Sequence, residues 1–251
     1  MDNRKSYYLV FDTETANKKP LNAVNPMNSL VYDFGAAVCD KQGNIYETMD
    51  YIVSDIFLDE FAKMQSAYYS RKIPQYIKDL ADQKRTLIDF ITLIHKVAEI
   101  INKWKIKAVI AHNSPFDLGS LQSTAMWLSD DKSSHFFPPV EVWDTMKMAN
   151  DTICQMPSYK AFCKEYGFMT KNGRVKKTAE SLYAFITDTP DFEEKHTGLE
   201  DVLIEVKIFS HCIKQHKKMD KLVTVIEPPI TPKEWTYEGI AECLEKILEK
   251  N

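Results

Sequence analysis

Asp12 and Glu14 stand on either side of Thr13 where an apolar run, residues 7–11 (Tyr-Tyr-Leu-Val-Phe), stops. A run of large apolar side chains that ends in acids reads as a buried strand whose carboxyl end, at Phe11, meets a crevice. Side chains alternate along a strand, so Asp12 and Glu14 share a face. Two carboxylates that close raise one another's pKa unless a cation lies between them. Oxygen-only ligands favour a hard divalent ion, Mg²⁺ or Mn²⁺. Alone, such a triplet is more often a solvated turn. Two further segments shift that balance.

Asp117 closes Ala111-His112-Asn113-Ser114-Pro115-Phe116-Asp117, which follows a second short apolar strand at 108–110. Ser114 is a good N-cap and Pro115 suits the first helical position, so a helix is expected to begin there. Leu118, Leu121, Ala125 and Leu128 recur at helical spacing as its core face. Asp117 then falls in the first turn, where the helix dipole keeps a carboxylate ionised. His112, at the strand end, reads as structural or as a contact on the substrate side. The third segment is His196-Thr197-Gly198-Leu199-Glu200-Asp201. A helix turns about 100° per residue, so both end residues reach one site only if His196 precedes the helix and Asp201 lies in its early turns. Gly198 is expected to make that approach flexible. Asp201 shares a stripe with Ile204 and Ile208, and a buried carboxylate needs a partner, a metal ion or a lysine.

Together, Asp12-Thr13-Glu14-Thr15, the Ala-His-Asn-x-x-Phe-Asp segment ending at Asp117, and His196-x-x-x-x-Asp201 resemble the three motifs of the DnaQ-like (DEDDh) 3′→5′ exonucleases, in that family's order. Trp143-Asp144-Thr145-Met146 resembles the strand and Asp-Thr pair that precede the third motif's helices. Residues 178–183 resemble the short helix before the catalytic histidine. The likeness implies a ribonuclease H-like α/β fold: a mixed five-stranded sheet flanked by helices, with a C-terminal helical extension. It implies that Asp12, Glu14, Asp117 and Asp201 ligate two ions, Mg²⁺ or Mn²⁺, and that His196 is the general base. Thr13, Thr15, Asn113 and Phe116 are implied as the residues that seat the terminal nucleotide. The activity implied is metal-dependent 3′→5′ hydrolysis at single-stranded or frayed 3′ ends, DNA favoured, releasing nucleoside 5′-monophosphates. An RNA-trimming or oligonucleotide-degrading ribonuclease, and a non-catalytic polymerase-associated binding module, remain as alternatives. A polymerase or another replication protein is a partner that the likeness admits.

Composition frames the site. At 251 residues with 44% hydrophobic side chains, the chain is long and apolar enough for one large core. The expected domain spans 1–216, and 217–251 are expected to form a linker and a helix, packed on the domain or used for a partner. A net charge of −4 excludes a generally basic nucleic-acid binder but not an enzyme that grips a few nucleotides. Lys171, Arg174, Lys176 and Lys177 form a turn able to meet phosphates, or simply a solvated loop. The odd number of cysteines, 5, without Cys-x-x-Cys pairs, fits reduced thiols in a cytoplasmic protein. No apolar run is long enough for a membrane span, and no signal peptide precedes the first strand.

The positioning elements follow from periodicity. Residues 29–39 and 45–53 read as an antiparallel hairpin about the turn Asp40-Lys41-Gln42-Gly43. Residues 57–69 and 73–81 read as short helices, and 86–104 as one long amphipathic helix. A strand over 140–143 follows, then three helices, the last of them carrying Asp201. The proline-rich stretch 227–232 signals a linker before a terminal helix over 235–250.

Overall fold

The computed structural model describes residues 2, 4–16, 29–67, 69–129 and 135–227. The helix expected over 235–250, Cys243 and nearly all of the expected linker lie outside the described residues.

A central strand, β1 (Tyr7–Thr15), is buried on both faces, as its apolar run requires. β2 (Val31–Asp40) pairs with it antiparallel, and β3 (Ile45–Val53) pairs antiparallel with β2. On its other side β1 is parallel to β5 (Ala108–Ala111), which is parallel to β6 (Val140–Asp144). Short strands β4 (Thr86–Ile88) and β7 (Leu222–Ile226) close the two edges, giving the order β4-β3-β2-β1-β5-β6-β7.

Alternation along β1 divides the core into two layers. Tyr7, Leu9 and Phe11 face one layer with Phe90, Leu93 and Val97 of α4 (Phe90–Trp104) and Leu121 of α5 (Ser114–Leu128). The small helices α1 (Ser54–Phe57), α2 (Phe61–Gln65) and α3 (Ile73–Ala81) add Ile56, Met64 and Tyr76 to this layer. Tyr8 and Val10 face the opposite layer. It is built by α6 (Thr145–Asp151), α7 (Pro157–Glu165), α8 (Ala179–Thr187) and α9 (Gly198–Lys214). Cys39, Cys154, Cys163 and Cys212 are buried free thiols. No described helix is long and apolar enough to cross a membrane.

The α/β sandwich agrees with the expected class, and several details correct it. The sheet has seven described strands rather than five. β4 lies within the segment expected as the start of a long helix. Leu87 matches the helical spacing, but the Asp89 carboxylate accepts the N–H of Thr92 and starts the helix at Phe90. β7 was not expected from the sequence and pairs antiparallel with β6. The first strand runs past Phe11 to Thr15, because β2 continues to pair with it: Asp12 faces Gly35 and Glu14 faces Asp33. Among the described residues of 57–69, Phe57 ends α1 and the short α2 is the one further helix, and four α-helices rather than three fill the segment ending in α9.

Candidate active site

β5 stops short of β1, and that mismatch opens the site. The last parallel pair is Val10 with Ile110, so from Phe11 onward β1 keeps a strand partner only on the β2 side. The space beyond β5 receives the start of α5. Asn113, not Ser114, is the N-cap, in a left-handed conformation at φ 68° that asparagine tolerates. Its backbone N–H donates to Asp144 Oδ1 at 3.0 Å, and Asp144 also accepts the N–H of Met146 and so caps α6. This turn delivers Asp117, 3% exposed, against β1, where the Thr13 hydroxyl donates to its Oδ1 at 2.7 Å.

Asp12 and Glu14 project to the other face, toward α9. That helix approaches the sheet closely because Gly35 and Gly198 both lack side chains. A Cβ on Gly35 would overlap the backbone of Gly198 and Leu199, and one on Gly198 would lie 2.6 Å from the Gly35 nitrogen. Gly198 therefore serves close packing, not the flexibility expected of it. The Gly198 N–H donates to Asp33 Oδ2 at 3.0 Å, and this oxygen also receives Tyr76 Oη and Arg85 Nη1. Thr197 stands at the N-cap position of α9, Asp201 falls in its first turn, and His196 lies just ahead of Thr197.

These elements bring Glu14, His196 and Asp201 together: one ligand atom from each lies within 4.8 Å of the others. Asp12 and Asp117 stand outside that tight group but within its electrostatic reach. Burial raises the Asp12 carboxyl well above its ordinary value, and repulsion from Asp117, Glu205, Asp201 and Glu14 adds to the shift. Glu14 is raised by burial and then by Asp201, while Lys72 opposes. Burial brings Asp117 up to about 7, against the pull of the Thr13 hydroxyl. Asp201 rises to about 8 through burial and repulsion from Glu194. Such a set of carboxylates is held apart from its preferred charge state, and its composition fits hard divalent cations such as Mg²⁺ or Mn²⁺. Asp201 Oδ1 is buried with no hydrogen-bond partner, as a ligand atom awaiting an ion would be.

His196 is half-buried, and burial, then Lys72 and Arg71, lower its pKa, so the ring is neutral at pH 7. Its backbone is left-handed at φ 53°, a conformation that costs a non-glycine residue about 1–2 kcal/mol. Two side chains hold it there. Lys72 donates its ammonium to the carbonyls of Lys195 and His196, and the Tyr69 ring stacks on the imidazole at 4.9 Å between centroids. His112 is used differently. Its Nε2 lies 2.7 Å from the Lys177 carbonyl and its Nδ1 2.9 Å from Thr145 Oγ1, so it ties the basic loop to the β5 end.

Of the residues expected to seat a nucleotide, Thr13 is 6% and Thr15 9% exposed, and the Thr13 hydroxyl serves Asp117. Asn113 is exposed and Phe116 partly buried. Lys72, Glu194, Asp33 and Glu205 were missed from sequence. Only Glu205 carried a signal, an acid four positions after Asp201 on an otherwise apolar helix face.

No protein-family model and no curated protein matches the chain. Solved structures do. E. coli exonuclease I in complex with a dT13 oligonucleotide aligns at a TM-score of 0.50 and 14% identity, over 84% of this chain and 42% of that one. The chain thus spans less than half the length of that protein. The 3′-exonuclease of a histone mRNA stem-loop complex aligns at 0.49 and 10% identity, over 92% and 73% of the two chains. The nuclease domain of 3′hExo, a DEDDh family member bound to rAMP, aligns at 0.47 and 13%, over 89% and 100%. By its architecture, the chain shares the α/β fold of exonuclease I.

Proposed function

We propose that the chain is a metal-dependent 3′→5′ exonuclease that hydrolyses phosphodiesters at single-stranded or frayed ends and releases nucleoside 5′-monophosphates. The observation that carries this reading is the convergence of Glu14, His196 and Asp201 within 4.8 Å, beside the buried Asp117 and the partly open Asp12. Asp12, Glu14, Asp117 and Asp201 are the residues that would hold two divalent cations. When bound, such ions lower the pKa of water and stabilise charge on the leaving 3′-oxygen.

The chain's own residues perform the rest. His196, neutral at pH 7, accepts the proton of the attacking water. Tyr69 and Lys72 fix the ring's direction, so little reorganisation is needed when the proton moves. Thr13 holds Asp117 against β1 and sets the spacing between acids that arrive from opposite faces of the sheet. The exposed Asn113 and the partly buried Phe116 would receive the terminal nucleotide, with Phe116 offering a stacking surface indifferent to base identity. His112 anchors the loop bearing Lys171, Arg174, Lys176 and Lys177 beside the site, where cations would meet backbone phosphates. DNA is the favoured substrate, in keeping with the oligodeoxynucleotide bound by exonuclease I.

The test is degradation of a 5′-labelled strand in Mg²⁺, with matched DNA and RNA substrates. Asp12→Ala is expected to lower turnover by about a thousandfold or more. Undiminished activity of that variant would overturn the assignment, and a faster reaction on RNA would overturn the preference for DNA.

A further inference from the structure

Glu205 lies outside the four-acid set, one helical turn beyond Asp201 on α9. It is 2% exposed. Its Oε1 accepts the backbone N–H of His112 at 3.2 Å, at the root of the turn that delivers Asp117. Its Oε2 is buried with no hydrogen-bond partner. A carboxylate held by one bond to a fixed backbone donor, with its second oxygen unmatched, is costly unless something else meets that oxygen. Among the groups that act on Asp12, Glu205 follows only Asp117, ahead of Asp201 and Glu14. Asp117 in turn is the charged neighbour that acts most on Glu205. The bond to His112 thus fixes the side chain beside the turn that delivers Asp117, where its charge meets Asp12, Asp117, Glu194 and Asp201.

We propose that Glu205 is a fifth carboxylate of the metal centre, its Oε2 a ligand of the divalent cation held by Asp12 and Asp117. The proposal rests on the nuclease reading above and adds to it a residue that none of the three sequence motifs contains. Glu14 and Asp201, beside His196, would then hold one ion, and Asp12, Asp117 and Glu205 the other.

Calorimetric titration of the full chain with Mn²⁺ tests this, with Glu205→Gln and the wild type side by side. Glutamine is close in shape and its amide oxygen still accepts the His112 N–H, so a residue that merely ties α9 to the β5 end would leave Mn²⁺ binding unchanged. The expected result is about tenfold or more weaker binding at one of two sites, with no loss of melting temperature in the metal-free protein. Wild-type affinity and stoichiometry in the variant would overturn the proposal. Should Glu205→Gln not fold, Glu205→Asp keeps the charge and draws the oxygens back by one methylene. Weakened Mn²⁺ binding by that variant supports the role, and unaltered binding overturns it. A wild-type chain that binds no Mn²⁺ would overturn the nuclease reading as well, which separates the two failures.

Discussion

Two sets of buried carboxylates occupy adjacent strands of the sheet. On β2, Asp33 is fully buried, and its Oδ2 takes bonds from Tyr76, Arg85 and the Gly198 N–H while its Oδ1 takes none. Arg85 also bonds Asp50 at 2.9 Å and lies 3.7 Å from Asp79. Burial raises Asp33, and Arg85 and Tyr76 pull against that shift. On β1, Asp12 and Glu14 join Asp117, Asp201 and Glu205, and Lys72, the cation that acts on Glu14 and Asp201, spends its hydrogen bonds on two backbone carbonyls. The first set carries its own counter-charge and fixes the position of α9. The second is left short of positive charge, and what it lacks must come from solution. Depth of burial alone does not separate a structural acid from a functional one; the partner does.

Removing the built-in cation is the harshest way to break the comparison. Arg85→Met leaves Asp33 buried without its counter-charge, and is expected to cost about 3–5 kcal/mol in denaturant unfolding. If the two sets were equivalent, that loss would be no larger than for Lys72→Met. The pH dependence sharpens the contrast. A carboxyl whose folded pKa lies above its unfolded value contributes stability that is complete below the unfolded value and is lost as pH rises through the folded one. With Asp117 near 7 and Asp201 near 8, the metal-free chain should lose stability progressively between pH 4 and pH 8. Saturating Mn²⁺ should flatten that slope, since the ions favour the ionised forms, and melting curves across this range check it. The smallest effect is expected from Lys72→Met, which frees the carbonyls beside His196. Turnover should fall about tenfold with KM little changed, because the ring's orientation, and not substrate affinity, is what the ammonium secures.

Much of the site was legible because its acids interrupt apolar runs. Glu14 closes a run of aromatic and aliphatic residues, and Asp201 sits on an apolar helix, so their burial follows from pattern alone. His196 and Asp201 lie where spacing placed them, before and within the first turn of α9. What the sequence hid is long-range. Lys72 and Tyr69 reach His196 from a separate segment, and nothing local marks either residue. Gly198 suggested freedom because its partner, Gly35, lies 163 positions away and only the fold reveals that the two backbones touch. β4 and β7 are short edge strands of three and five residues, too brief for alternation to separate them from a helix start or a linker.

The central claim is that acids from three distant segments hold a pair of divalent cations, and anomalous scattering from Mn²⁺-loaded crystals tests it most directly. Two peaks about 3.5–4 Å apart, bounded by Asp12, Glu14, Asp117 and Asp201, are the predicted result. Mn²⁺-saturated crystals with no peak in contact with those four side chains would contradict it.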